Sequence, residues 1–99
     1  MDTTEVKLEE EGSKGRAYIG DASKTAAEMT YSLAGSHLII IDHTEVGDEY
    51  RGQGLGRKLL TKIVNMAREN EKKILPLCPY AKSVFDKDSS ISDVLRPRK

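Results

Sequence analysis

The sequence predicts a single α+β domain with a mixed β-sheet, in which four antiparallel strands precede a helix, a fifth strand and a second helix. Two observations support this fold class. Apolar residues recur at every second position in the first half of the chain, which is the period of a half-buried strand. After residue 54 the period becomes that of a helix with one apolar face. A length of 99 residues suits one compact domain, so we treat residues 1–99 as a unit.

The first half of the chain is predicted to form a meander of four short strands. Val6 and Leu8 alternate with polar neighbours, and residues 16–19 form a second strand after a charged, glycine-containing turn. The third strand has a small or apolar residue at every second position: Ala27, Met29, Tyr31 and Leu33. A turn at 34–36 then leads to residues 38–41, which open a more buried strand. The connections are too short for crossover helices, so these strands should pair antiparallel.

The second half predicts two helices around one strand. The first helix should run from about Gly54 to about Asn70, with one apolar face: Leu55, Leu59, Leu60, Ile63, Val64 and Ala67. Residues 73–77 form a short strand, and Pro79 suits the first turn of the next helix, where its missing N–H costs nothing. That helix should end within 86–90 and turn three residues inward: Ala81, Val84 and Phe85. Neighbouring strands joined through a helix should be parallel.

Composition limits the classes of function. Acidic and basic residues number 16 each, and this balance argues against a nucleic-acid partner. One cysteine excludes an intramolecular disulfide and a paired-cysteine metal site, so no metal is expected. The longest apolar run, residues 38–41, is too short for a membrane span, and the amino terminus lacks signal-peptide features. We therefore expect a cytoplasmic protein, a monomer or weak homodimer, with a frayed basic tail at 96–99.

The glycines of residues 51–56 are the first candidate for chemistry. Gly52, Gly54 and Gly56 let the backbone approach a ligand and turn N–H groups inward, at the positive end of the helix that follows. Arg51 can add a charge-assisted contact. The alternative is a tight strand-to-helix connection in which glycine only relieves backbone strain, and spacing alone leaves both open. A Walker loop is excluded because Arg57 follows Gly56, and a dinucleotide fold because the turn follows a meander.

The segment Arg51-x-x-Gly54-x-Gly56 resembles the Q/R-x-x-G-x-G/A signature of the GNAT superfamily of acyl-CoA-dependent N-acetyltransferases. The chain is similar in particular to a small single-domain branch of about this length. In that branch His-Thr-x-Val precedes the glycine turn and Cys-x-Phe/Tyr follows the next strand. Here these elements are His43-Thr44-Glu45-Val46 and Cys78-Pro79-Tyr80, and the match covers about residues 39–85.

The resemblance implies acetyl-CoA as co-substrate and an amine acceptor, either a small amine or a protein lysine. The coenzyme A pyrophosphate would bind the turn formed by Arg51, Gly52, Gln53, Gly54, Leu55 and Gly56. The pantetheine arm would lie along the strand that ends at Val46, in a cleft beside residues 73–77, and its amides would pair with the backbone near Glu45 and Val46. Lys82 can reach the phosphates, although a solvated lysine is the simpler interpretation.

Four residues are candidates for catalysis. Along their strand His43 and Glu45 project to one face, where they can relay a proton. The alternative for Glu45 is a solvated carboxylate with no role in catalysis. The alternative for His43 is a side chain that only bonds to a backbone carbonyl. Cys78, at or near a helix N-cap, can accept the acyl group, protonate the leaving thiolate, line the cleft or serve as a buried filler. Tyr80 is the other candidate acid, since many enzymes of the superfamily place a tyrosine early in this helix.

The chain departs from the larger enzymes of the superfamily, because it lacks the extra amino-terminal helices that build their acceptor pocket. An open acceptor site would admit a bulky amine such as a protein lysine. A partner chain can instead complete the site. The third alternative is a non-catalytic acyl-CoA-binding or sensing module.

Overall fold

The computed structural model describes residues 6–20, 25–50, 52 and 54–96. Five strands form one sheet in chain order: β1 (Lys7–Glu11), β2 (Lys14–Gly20), β3 (Thr25–Ala34), β4 (Leu38–Val46) and β5 (Lys73–Pro76). The first four pair antiparallel, and β5 pairs parallel to β4. The predicted α+β fold, with its antiparallel meander and mixed sheet, is confirmed.

Two α-helices follow the meander at the predicted places. They are α1 (Leu55–Glu69) and α2 (Pro79–Lys87), and 3-10 turns occupy Asp48–Tyr50 and Ser89–Val94. None of the helices in the described part of the chain is long and apolar enough to cross a membrane.

The core lies between the sheet and the helices. Every residue predicted for the apolar face of α1 is buried, and on β3 the predicted alternation holds, with Ala27, Met29 and Tyr31 each no more than 2% exposed. On α2, Ala81 and Phe85 are buried and Val84 is half-buried. The periodicity therefore predicted the correct inner face of each of these elements.

The opposite face of the sheet carries charged and polar side chains. The Arg16 guanidinium donates to Glu9 at 2.9 Å and to Glu28 at 2.8 Å, and it lies 4.2 Å from the centroid of the Tyr18 ring. The bond to Glu28 is the main reason why the pKa of Arg16 is raised. No element within the described ranges covers this face, and its side chains are half-buried or exposed. The sheet is thus covered on one side and open on the other.

A β-bulge in β4 changes which residues face the helices. Tyr31 pairs with Ile41, but its neighbour Thr30 pairs with His43, so Asp42 is the extra residue. Before the bulge the inward residues of β4 are at odd positions, and after it they are at even positions, ending with Thr44 and Val46. His43 and Glu45 therefore point to the open face, on the side of the sheet away from the helices.

Beyond the bulge, β4 and β5 separate. Their pairing runs from Leu38 opposite Lys73 to Ile41 opposite Pro76, and the N–H groups of Leu77 and Cys78 then both donate to the Ile41 carbonyl. No strand among the described residues lies beside residues 42–46 on that side. A wedge between the two strands results, with one backbone edge of β4 unpaired.

The 3-10 turn Ser89–Val94 was not predicted from the sequence. Its Ile91 and Val94 side chains are buried in the core. Arg68 of α1 secures it through two bonds to the Asp93 carboxylate, at 2.8 and 3.0 Å, and a third to the Ser90 carbonyl at 2.8 Å. The backbone N–H of Arg96 then donates to Ile74, while the remainder of the tail predicted to fray lies outside the described residues.

We predict that Asp88→Asn reduces stability at neutral pH but not near pH 2. Hydrogen bonds from the Ser90 hydroxyl, then from Arg57 and the Ser90 backbone, lower the pKa of Asp88 from 3.8 to about 2. The carboxylate therefore contributes fully above about pH 4, and the contribution is lost as the pH falls toward about 2. Urea unfolding followed by circular dichroism should show a difference between the two proteins that shrinks across this window.

Asp86→Asn, two residues earlier within α2, is the matched control. Asp86 is exposed, and the ion pair it makes with Lys82 is an i,i+4 pair at 3.6 Å, a class of contact that contributes little. Its substitution should have a small effect at every pH. A stability loss in Asp88→Asn that stays constant down to about pH 2 would contradict the prediction.

Candidate functional site

The glycine turn has the backbone conformation that only glycine adopts readily. Gly52 and Gly54 lie in the left-handed region with φ of 84° and 73°, and a Cβ at either position would meet no atom within 4 Å. Gly54 is the N-cap of α1 and, having no side chain, leaves the first N–H groups of the helix without a side-chain cap. Open space and the positive end of a helix are features that favour an anion at this turn. Arg51 and Gln53 lie outside the described residues.

Gly56 is needed for a different reason. It lies in the first turn of α1, where a Cβ would come within 3.0 Å of the Tyr80 ring. The start of α1 thus packs directly against the start of α2. Leu55 is only 3% exposed, so its side chain belongs to the core.

A pocket of about 200 Å³ joins the glycine turn to β4 and α2. Its walls include six of the residues that the sequence predicted for the site: Val46, Gly52, Gly54, Leu55, Gly56 and Tyr80. Thr44 and Tyr50 complete the lining. Segments far apart in the sequence therefore meet at one cavity at the open end of the wedge.

Cys78 is the N-cap residue of α2, as the sequence predicted, and it is 4% exposed. Its side chain does not cap the helix. The Sγ–H instead donates to Oγ1 of Thr44 at 3.0 Å. Thr44 is not among the residues predicted for the site, although a hydroxyl on the inward-facing side of a strand is the signal that points to it.

Tyr80 stands at the mouth of the pocket and is 38% exposed. Partial burial raises the pKa of its hydroxyl; the positive charge of Arg57 opposes this rise and Cys78 adds to it. The hydroxyl therefore remains protonated at neutral pH, the state in which a tyrosine can act as an acid.

His43 and Glu45 are not brought together with Cys78 and Tyr80. They line a second pocket of about 540 Å³, shared with Glu28 and Asp48 and with the turn after β4. Thr44 and Val46 border both pockets. The end of β4 thus separates two pockets: one contains the glycine turn, and the other is lined by His43 and by acidic side chains.

Arg57 and Lys82 are cations near the starts of α1 and α2. Arg57, in the first turn of α1, pairs with Asp88 at 2.5 Å. Lys82 is exposed and pairs with Asp86, so its predicted contact with phosphates stays a prediction. Within the ranges 6–20, 25–50 and 54–96, no group of three or more His, Cys, Asp or Glu side chains is placed to hold a metal ion.

The fold and the turn define a class of protein: a mixed sheet that splits between β4 and β5, with a glycine turn at the start of the next helix. Residues 16–94 match the family model described as GCN5-related N-acetyl-transferase. The chain belongs to this family, whose general chemistry is acetyl transfer. The resemblance predicted from the three motifs is confirmed.

A close structural relative is a GCN5-like protein from Staphylococcus aureus, known from a solution structure. The two share 41% identity over 100% of this chain and 94% of the other, with a TM-score of 0.76. The small branch proposed from the sequence therefore has a structural counterpart of nearly the same length.

More distant structures share the fold alone. A ribosomal-protein-alanine N-acetyltransferase from Brucella melitensis is 12% identical over 90% of this chain and 66% of that one, with a TM-score of 0.65. The ribosomal-protein-S18-alanine N-acetyltransferase from Escherichia coli is 16% identical over 78% of this chain, has a TM-score of 0.63, and is matched over 52% of its own length. No curated protein matches the chain.

Proposed function

We propose that this protein binds acetyl-CoA in the pocket between β4, α1 and α2 and transfers the acetyl group to a primary amine. The observation that carries the proposal is the pocket itself, which joins the glycine turn to Thr44, Val46 and Tyr80. The N–H groups at the start of α1 would hold the pyrophosphate, with Arg51 adding a positive charge.

The pantetheine arm would occupy the wedge between β4 and β5. Residues 42–46 have an unpaired backbone edge there among the described residues, and the pantetheine amides are of the right kind to pair with it. In this arrangement Glu45 and Val46 contribute backbone groups. The thioester would then lie near the end of β4, where both pockets meet at Thr44 and Val46.

Transfer requires that the amine nitrogen attack the thioester carbon, that the carbon–sulfur bond break, and that the coenzyme A thiolate receive a proton. Tyr80 is protonated at neutral pH and is the first candidate donor of that proton. Cys78 is the second; it can also act as a nucleophile or only shape the cleft. His43, on the other side of β4, would take the proton from an amine that arrives from the open face.

The acceptor proposed is a cationic amine in solution, either small or on a protein lysine. The pocket beside His43 is lined by Glu28, Glu45 and Asp48, and by no lysine or arginine of the described part of the chain. Glu28 is already paired with Arg16, so Glu45 is the carboxylate that would attract a protonated amine, from which His43 would remove the proton. No described element covers this face, so a bulky acceptor has access.

Incubation with labelled acetyl-CoA and a panel of amines tests this function. We expect label on an acceptor, a thermal stabilisation by coenzyme A, and at least about a tenfold loss of transfer in Tyr80→Phe with coenzyme A affinity kept. Label that stays on the native protein but is absent from Cys78→Ala would indicate a covalent route.

The same experiment separates the other functions. Stable binding without transfer to any amine would support a non-catalytic acyl-CoA-binding or sensing module. Absence of stabilisation at saturating coenzyme A would contradict both binding functions and leave the glycine turn with a structural role.

A further inference from the structure

We propose that Thr44 is a positioning residue that holds the Cys78 thiol at the acyl-transfer site and stabilises its thiolate form. The inference rests on the proposed function, since it assigns Thr44 to that site. It adds a residue that acts through Cys78, and it applies whether the thiol serves as acid or as nucleophile.

The hydrogen bond is the first piece of evidence. Sγ of Cys78 lies 3.0 Å from Oγ1 of Thr44, and the cysteine is 4% exposed. The Cys78 backbone N–H donates to Ile41, so β4 holds both the main chain and the side chain of this residue. Although Cys78 is a helix N-cap, its side chain caps nothing and is directed to β4 instead.

The chemical identity of Thr44 is the second piece of evidence. The other inward positions along β4 are apolar: Ile39, Ile41 and Val46. Thr44 is half-buried, and its hydroxyl gives this side of β4 a polar group that a valine of nearly the same shape would lack. The partner of that hydroxyl is the Cys78 thiol, which is only a weak donor. A valine at this position would therefore lose the bond to Cys78 while keeping the packing.

The position of Thr44 in the sheet is the third piece of evidence. The bulge at Asp42 turns Thr44, rather than His43, toward the helices. There it borders the pocket that contains the glycine turn and Tyr80. A hydroxyl that fixes Cys78 thus lies at the wall where the proposed thioester would be.

The hydroxyl can serve both protonation states of the sulfur. With the thiol, Oγ1 accepts the S–H; when the proton leaves, rotation of the hydroxyl lets it donate to the thiolate, and such charge-assisted bonds are the stronger kind. Among the described residues, the titratable groups that face this cluster are Tyr80 of α2, Arg57 of α1, which interacts electrostatically with Tyr80, and Tyr50, which lines the same pocket.

Titration of the thiolate by its ultraviolet absorbance tests the inference directly. Cys78 is the single cysteine of the chain, so the difference spectrum against Cys78→Ala reports it alone. In Thr44→Val we expect the midpoint to rise by about one pH unit, which means about tenfold less thiolate on the acid side of the midpoint. Thr44→Ser keeps the hydroxyl and should keep the native midpoint. Equal midpoints in the native and valine proteins would overturn the proposal.

Kinetics and binding separate this inference from the function on which it rests. Thr44→Val should keep coenzyme A affinity, measured by calorimetry, and lower kcat with KM unchanged. A changed KM with native kcat would contradict a positioning role. If native protein fails to bind coenzyme A, the proposed function is wrong, while the titration still decides the role of Thr44. Thr44→Ala, which also lacks the hydroxyl, replaces the valine variant if that variant does not fold.

Discussion

Replacing Gly54 by glutamate is expected to abolish the proposed coenzyme A binding while the domain still folds. The new carboxylate would occupy the anion site at the start of α1. Two like charges about 4 Å apart repel by about 4 kcal/mol at an effective dielectric constant near 20, so affinity should fall by at least about a hundredfold. Isothermal titration calorimetry with coenzyme A measures this loss.

The fold should tolerate the change. Gly54 has φ of 73°, and a Cβ added to it would have no atom within 4 Å, so the cost is the left-handed backbone conformation, about 1–2 kcal/mol. A negative charge at a helix N-terminus offsets part of this cost.

Gly35→Glu is the matched control for backbone strain. Gly35 lies in the turn between β3 and β4 with φ of 69° and equally open surroundings. Both variants should lose stability in urea unfolding, Gly54→Glu the less of the two, but only Gly54→Glu should lose coenzyme A affinity. Retained affinity in Gly54→Glu, or an equal loss in both variants, would show that the pyrophosphate binds elsewhere.

Gly15→Ala is expected to produce the second large effect, a loss of stability of the folded protein. Gly15 of β2 lies opposite Tyr31 of β3, and an added Cβ would stand 2.6 to 2.7 Å from three atoms of the Tyr31 side chain. That side chain cannot move aside easily, because it is 1% exposed and its hydroxyl donates to Glu10 at 2.7 Å. Overpacking and a disturbed hydrogen bond should together cost about 3 kcal/mol, or on the order of 15 °C in Tm.

A double-mutant cycle with Tyr31→Leu isolates the cause. Without the aromatic ring, Gly15→Ala should cost much less, so the two losses should not add. The free energies of unfolding are measured in urea for the four proteins of the cycle. Additive losses would mean that the methyl group meets something other than the Tyr31 ring.

Burial of the Tyr31 hydroxyl, and then its bond to Glu10, raise the pKa of this tyrosine, so it stays protonated across the physiological range. The hydroxyl therefore remains a donor to Glu10. Through this bond a core residue of β3 holds the edge strand β1, which has a paired neighbour on one side only.

Much of the fold could be predicted from local patterns. Alternation along β3 and the helical period of α1 predicted both the elements and their buried faces, because side-chain direction repeats with the backbone. The 3-10 turn at Ser89–Val94 was not predicted, because only two of its residues are buried and they are too few to give a recognisable period of apolar residues. Its place depends on Arg68, which is 25 residues from its partner Asp93.

The candidate site was predicted in part. Gly54 and Gly56 were recognised from spacing, and Cys78 and Tyr80 from the resemblance to the family; the first two and Tyr80 line one pocket. The roles of these residues, like those of His43, Glu45 and Lys82, stay predictions. Arg51 and Gln53 also remain predictions, on residues outside the described ranges.

The sequence by itself determined the order of elements, the glycine turn at the start of α1 and membership of the acetyltransferase family. Each of these three features follows from patterns among residues that are close together in the sequence. Only the tertiary structure decided which residues share a pocket. A single extra residue in β4, Asp42, reverses the phase of the strand and places Thr44 beside Cys78, 34 residues away, with His43 on the other face. Strand register arises from pairing between segments, so no local pattern encodes it.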